Sequence, residues 1–323
     1  MGDTLCATPM VSSLRKFYPD AKIILVTKAS TRWKEIFKQN NIVDEVKIYE
    51  NGFENFVNLI KELQEEKIDV AVIPSTVVFS VTNHLIAHYS KAKIKVGVAS
   101  INEMDNPAAF ILNVKNHFMW ETNKTHQIER NLEVIRQLNI NPPETRIQTQ
   151  LTEEEKKYAS DFIRNHFDSS KILVGFHPGA AIEENVWSFE NYARLANMLD
   201  EKFGVNIFIS EGPDDAKYVS SLESYLKSKY LQINFAKHKG ELMNNTAIIE
   251  HCKLFITNDT GVMHIASGLD VSLIALFCPG KAYQWGPIGE NKFSVQSKNN
   301  NIDSIEVEQV FEISFKILNG IST

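Results

Sequence analysis

At 323 residues the chain is too long for one typical core and suits two domains of ordinary size. Its 43% hydrophobic and 23% charged residues are those of an ordinary globular protein. A net charge of −6, with acids interleaved in every Lys-rich stretch, excludes nucleic-acid binding by charge alone. No apolar run reaches the ~18 residues that span a bilayer. The start, Met1-Gly2-Asp3, has neither a basic segment nor a long apolar stretch after it, so a cytoplasmic location is expected. Cys6, Cys252 and Cys278 lack metal-binding spacing and are expected as buried, reduced thiols.

Residues 8–18 carry Met10, Val11, Leu14 and Phe17 at helical spacing, with Pro9 suited to the first turn. The β-branched run KIILVT at 22–27 predicts a buried strand, and 46–49 a second. Residues 53–66 form an amphipathic helix with Phe56, Leu59, Ile60 and Leu63 on one face. A strand at 69–73, a helix at 81–89 and a strand at 94–98 follow. A helix over 127–138 closes this half, and Asn141-Pro142-Pro143 sets a linker near 140–152.

The second half restarts the pattern. Thr152-Glu153-Glu154-Glu155 is a capping-box start. Strands are expected at 171–177, 205–210, 254–257 and 273–277. Helices are expected at 191–203, 214–227, 246–252, from 263 to 268, and over 304–318. This alternation predicts an α/β protein of two doubly wound, Rossmann-like domains in series, 1–150 and 151–323. Ligands of such sheets bind beyond the carboxyl ends of strands, and the cleft between the domains is the expected active site.

The segment Asn258-Asp259-Thr260-Gly261-Val262-Met263-His264 follows a buried strand and enters a helix. Free N–H groups at such a turn bind phosphate, Thr260 adds a hydroxyl, and Gly261 permits close approach. His264 lies on the first helical turn. The competing reading is a plain turn with Asp259 or Thr260 as N-cap. His177-Pro178-Gly179-Ala180 also ends a strand, and its small residues let a ligand lie over the backbone. Ser188 with Glu190 marks a helix start. Asp3 either caps the following helix or acts as a general base toward a sugar hydroxyl. Lys281, in the loop after 273–277, can pair with a phosphate. Glu211, in the loop after 205–210, can contact a base or ribose. The competing readings are a surface loop for the first and a simple turn for the second. His126, Glu129 and Arg130 form a polar cluster read as mainly structural. There is no P-loop, no dinucleotide fingerprint and no nucleophile elbow.

In order, these segments resemble the heptosyltransferase family of glycosyltransferases, family 9, whose members have the GT-B fold. The resemblance rests on Gly2-Asp3-Thr4-Leu5 with Thr8-Pro9, Leu14-Arg15 and Tyr18-Pro19, and on His177-Pro178-Gly179-Ala180 followed by Trp187. It rests further on Asp259-Thr260-Gly261-x-x-His264-x-Ala266, then Phe277-x-Pro279 and Trp285-Gly286-Pro287. It spans nearly the whole chain.

The resemblance implies inverting transfer of a heptose from an ADP-heptose-type nucleotide sugar to a lipopolysaccharide core or other glycan. Asp3 would be the base, and no metal or cofactor is implied. Thr260, Gly261 and His264 would hold the donor diphosphate, with Asp259 near the sugar or turn. His177, Gly179, Ala180, Asn185, Glu211 and Lys281 complete the expected donor site. The acceptor implies peripheral contact with the inner membrane face. The last helix is expected to pack back on the first domain.

Two departures shape the expectation. The family usually has a β-strand before the Gly-Asp pair, so the first strand of the amino-terminal sheet is expected to be missing and Asp3 to sit on a loose terminus. The family also has a Lys two residues before Trp187, where this chain has Asn185, so Lys281 is expected to supply the cation. An inactive paralogue that binds nucleotide sugar or glycan is the alternative, and an epimerase of the same fold a third.

Overall fold

The structure is a computed structural model that describes residues 1–28, 42–121, 124–143 and 145–321. The chain divides into two compact units, Met1–Ile147 and Gln148–Thr323. Glu144, within the expected linker, lies outside the described residues.

The first unit runs α1 (Gly2–Leu5), α2 (Thr8–Phe17), β1 (Ile24–Lys28), β2 (Glu45–Tyr49), α3 (Phe53–Glu65), β3 (Val70–Val72) and α4 (Val81–Tyr89). It continues with β4 (Ile94–Ile101), β5 (Met104–Asp105), β6 (Val114–Phe118) and α5 (Gln127–Arg136). Leu59, Ile60 and Leu63 are buried on α3, as the amphipathic spacing predicts. Among the described residues the strands of this unit form two sheets. β1 pairs in parallel with β2, while β4 lies between parallel partners β3 and β6 with β5 antiparallel. Among the described residues β1 pairs only with β2 and β3 only with β4. Val70 on β3 accordingly stays 40% exposed.

A strand paired on one side opens at lower cost than one held on both. Amides of β1 and β3 are therefore expected to exchange with deuterium roughly tenfold or more faster than those of the doubly paired central strands of the second unit. Equal protection, read by mass spectrometry, would contradict the break.

The second unit runs α6 (Glu153–His166), β7 (Leu173–His177), α7 (Phe189–Phe203), β8 (Asn206–Glu211), α8 (Ala216–Lys229), β9 (Asn234–Lys239) and α9 (Leu242–Glu250). β10 (Leu254–Asn258), α10 (Gly261–Ser267), β11 (Ser272–Phe277), α11 (Ala282–Trp285), β12 (Lys292–Gln296) and α12 (Val307–Leu318) complete it. Thr152 closes a full capping box on α6, with its hydroxyl on the Glu155 amide and the Glu155 carboxylate on the Thr152 amide. All six strands are parallel, in the order β12-β11-β10-β7-β8-β9.

Alternate residues of these strands feed two cores. Val174, Phe176, Ile207, Ile209, Leu254 and Ile256 pack with α7, α8 and α12. Leu173, Phe208, Phe255, Leu273 and Ala275 pack with α6, α9 and α10. Gly175 belongs to the second face because Phe255 fills its place: a Cβ there would lie 2.7 Å from the Phe255 ring. The last helix, α12, packs on α7 within its own unit, with Val307, Val310 and Ile317 in that core. The chain order reverses between β7 and β10. In an open parallel sheet that reversal leaves a crevice at the carboxyl ends, where ligands bind.

Candidate functional site

Two strand-end segments meet at this reversal. β7 delivers His177, Pro178 and Gly179; β10 delivers Asn258, Asp259 and Thr260. Thr260 is the N-cap of α10, and its hydroxyl accepts from the Met263 amide at 3.4 Å. The capping reading therefore holds for Thr260. The cap leaves the amides of Gly261 and Val262, at the very start of the helix, outside the intrahelical ladder. Asp259 is half-buried. Burial raises its carboxyl above the usual range, and the ammonium of Lys281 pulls it the other way. His264 is buried, its ring edge-on to Trp285 with centroids 6.2 Å apart. The far end of α10 is pinned as well. Lys292 donates to the carbonyls of Leu269 (2.8 Å) and Val271 (2.6 Å), and Thr149 donates from its hydroxyl to the Ile265 carbonyl at 2.8 Å. Burial pulls the Lys292 ammonium down to about 8, against the pull of Asp270.

Gly179 must be glycine. A Cβ on it would lie 1.9 Å from Oδ1 of Asp215, which precedes α8. Asp215 is held in turn: its Oδ2 accepts from the Gly212 amide at 2.8 Å and lies 3.6 Å from Nε2 of His177. The Ser210 carbonyl, 3.2 Å from Nδ1 of His177, can only accept, so Nδ1 carries the ring proton. Burial lowers the basicity of His177 against the opposing pull of Asp215. His177 thus ties the end of β7 to β8 through Ser210, and Asp215 holds the turn after β8 through Gly212.

Sequence reasoning missed Asp215. Its signal was present: an Asp three residues after a strand-end Gly is placed to accept that glycine's amide.

Two expectations need correction. Glu211 is not in a loop but is the last residue of β8, and only 4% exposed. Its carboxylate lies 3.4 Å from Lys239 and 3.9 Å from Lys237, on the neighbouring β9. Lys281 lies in the loop after β11, as expected, at the N-cap position of α11. Cys278 is only partly buried, with its thiol donating to the Glu184 carbonyl at 3.3 Å, whereas Cys6 and Cys252 are buried. Asn185, where the resemblance expects a Lys, is buried in a short 3-10 turn over Glu183–Asn185. Ala180 is half-buried. Ser188 takes the N-cap position of α7 without a side-chain cap bond; its amide instead donates to Asp303 at 2.8 Å.

In the first unit Asp3 is exposed on α1. It does not cap the next helix, whose N-cap is Ala7. Nor is its mount loose. Leu5 and Cys6 are buried, Thr8 donates to the Leu5 carbonyl at 2.8 Å, and Asn131 of α5 donates to the Cys6 carbonyl at 3.0 Å. Asn131 itself accepts from Thr76, which accepts from Gln127, so this anchor is a buried network. The His126 cluster is structural in form. His126 caps α5 through the Ile128 amide, and Arg130 lies over the Trp120 ring.

The family model for glycosyltransferase family 9 (heptosyltransferase) matches residues 56–313, well over half of the chain. The chain belongs to glycosyltransferase family 9. It is therefore an enzyme of the glycosyltransferase class. It is 23% identical over 292 residues to lipooligosaccharide heptosyltransferase 2 of Campylobacter jejuni subsp. jejuni serotype O:2, covering 89% of this chain and 81% of that protein. It is 26% identical over 313 residues to lipopolysaccharide heptosyltransferase 3 of Escherichia coli strain K12, covering 90% and 83%. Among solved structures, the E. coli ADP-heptose lps heptosyltransferase II superposes with a TM-score of 0.78 at 20% identity, covering 99% of this chain and 96% of that one. That likeness shows the fold, two Rossmann-like units of the GT-B class. Among the described residues no helix is long and apolar enough to cross a membrane.

Proposed function

We propose that this family 9 enzyme is an inverting heptosyltransferase that takes ADP-heptose, or a closely related nucleotide sugar, as donor. Its acceptor on this reading is a lipopolysaccharide core, reached from the cytoplasmic face of the inner membrane. The observation that carries the reading is the meeting of the Gly179 and Asp259-Thr260-Gly261 segments where the sheet order reverses. A diphosphate fits there because backbone amides and a glycine offer donors without steric bulk. The names of the relatives support heptose and lipopolysaccharide.

In this reading the amides of Gly261 and Val262 hold the diphosphate with His264 behind them, and the Thr260 hydroxyl stays with its cap bond. Lys281 supplies the cation that Asn185 does not, and it also offsets the Asp259 carboxylate. Gly179 and Ala180 form the floor, and His177 braces it. Asp3 removes the proton of the acceptor hydroxyl as that oxygen displaces the nucleotide at the anomeric carbon, which inverts its configuration.

Calorimetry with ADP, UDP and GDP tests the donor site. ADP should bind most tightly, and His264→Ala should weaken it roughly tenfold. Equal affinity for ADP in wild type and His264→Ala would remove His264 from the site. The buried Asn185 favours a second reading, binding without transfer. On that reading ADP binds but no sugar moves to any core acceptor.

A further inference from the structure

The segment from Pro178 to Trp187 leaves the sheet at the end of β7 and rejoins the core at the start of α7. One side chain on the neighbouring strand holds both of its ends. Asn258, the last residue of β10, is 0% exposed. Its Nδ2 donates to the carbonyls of Pro178 at 3.0 Å and Gly179 at 3.3 Å, and its Oδ1 accepts from the Trp187 amide at 3.2 Å. The Tyr192 hydroxyl, on α7, lies 3.3 Å from the same Oδ1 and 3.3 Å from the His177 carbonyl.

Trp187 is itself fixed, fully buried with Nε1 donating to the Ile305 carbonyl at 3.1 Å. An amide suits this position because it has two N–H donors and an acceptor oxygen with two lone pairs. A carboxylate would face two carbonyl oxygens, and an aliphatic side chain would leave the Pro178 and Gly179 carbonyls and the Trp187 amide without this partner in the core. Asn258 is also bonded in the chain to Asp259. The residue that closes the 178–187 loop therefore also sets how far that loop stands from the Asp259-Thr260-Gly261 turn.

We propose that Asn258 is a positioning residue of the donor site. It staples the 178–187 loop at both ends and so fixes the gap between the two backbone segments that receive the diphosphate. It acts through the loop backbone and does not touch the donor. This inference rests on the donor-site reading above.

The test uses ADP as probe on the full chain, by calorimetry at a temperature where every variant is folded. Asn258→Leu is expected to weaken ADP roughly tenfold or more. The control is Asn206→Leu. Asn206 is another buried amide at the opposite, amino end of the same sheet, donating to the Asp168 carbonyl at 2.7 Å. Asn206→Leu should lower the melting temperature comparably while leaving ADP affinity within about twofold. Equal ADP affinity in wild type and Asn258→Leu overturns the staple and leaves the donor site standing. So does an equal loss of affinity in both variants. Absence of ADP binding to wild type overturns the donor-site reading and the staple with it. A second measurement needs no variant. ADP should slow deuterium exchange at residues 179–187 and 260–263 of the wild type together, and protection of 260–263 alone overturns the proposal.

Discussion

Asp3→Asn is expected to lower the rate of heptose transfer by about 10²- to 10⁴-fold, the range a positioned general base contributes. The Asn keeps the size and hydrogen-bonding reach of the side chain but cannot take a proton at neutral pH. Asp3 is exposed on α1 while Leu5 and Cys6 behind it are buried and tied to Asn131, so the substitution leaves the anchor intact. Melting temperature should barely move, since surface changes of this kind stay within about 0.5 kcal/mol. ADP affinity should also hold, because on this reading Asp3 meets the acceptor and not the diphosphate. The predicted signature is a fall in kcat with donor binding unchanged. Transfer within about twofold of wild type would remove Asp3 from the chemistry.

Gly179→Ala should damage both fold and donor binding. Its new methyl would lie 1.9 Å from the Asp215 carboxylate, closer than any side-chain contact permits. Asp215 cannot retreat freely, because it holds the Gly212 amide at 2.8 Å with the His177 ring 3.6 Å away. Overpacking of this kind costs about 1–3 kcal/mol, and the β7-end loop must move to relieve it. ADP affinity should fall roughly tenfold or more as that loop shifts. Adding Asp215→Ala should recover part of the stability, since the two side chains compete for one space. Thermal unfolding of the single and double variants decides the matter. A Gly179→Ala protein as stable as wild type would show that the packing around Asp215 is looser than the structure has it.

The strands at the centre of the second unit were legible because burial on both faces demands continuous apolar runs. LVGFH at β7 and LFITN at β10 are such runs, every residue buried. The strands that escaped sequence reasoning are of another kind. β6, VKNHF, leaves its middle residues exposed; β9, NFAKHK, and β12, KFSVQ, are the two edges of their sheet. Strands with one free side carry charge and weak alternation, so periodicity passes over them.

The break between β1 and β3 fits the strand expected to be missing from the amino-terminal sheet, although nothing in β1 itself announced it. A run such as ILVTK announces a strand but not its neighbours. At the site, Thr260 and Gly261 were visible because a strand–turn–helix with a capping residue has a local signature. Asp215 was missed, and Asn258 was read only as the first residue of that segment, because their partners lie on other elements. Asn258 reaches residues 66 to 80 positions away, a separation no local pattern encodes. The buried Asn185 marks the position where the sequence departs from the family's lysine.

The central claim is that this chain moves a heptose from its nucleotide onto a lipopolysaccharide core. The direct measurement is incubation of the full chain with ADP-heptose and heptose-deficient core, followed by mass spectrometry of the core and release of ADP. The account predicts a core heavier by one heptose residue, one ADP released per transfer, and the opposite anomeric configuration in the product. ADP binding by calorimetry with no mass gain on any core acceptor would contradict it, and would leave a protein that binds the nucleotide without transferring the sugar.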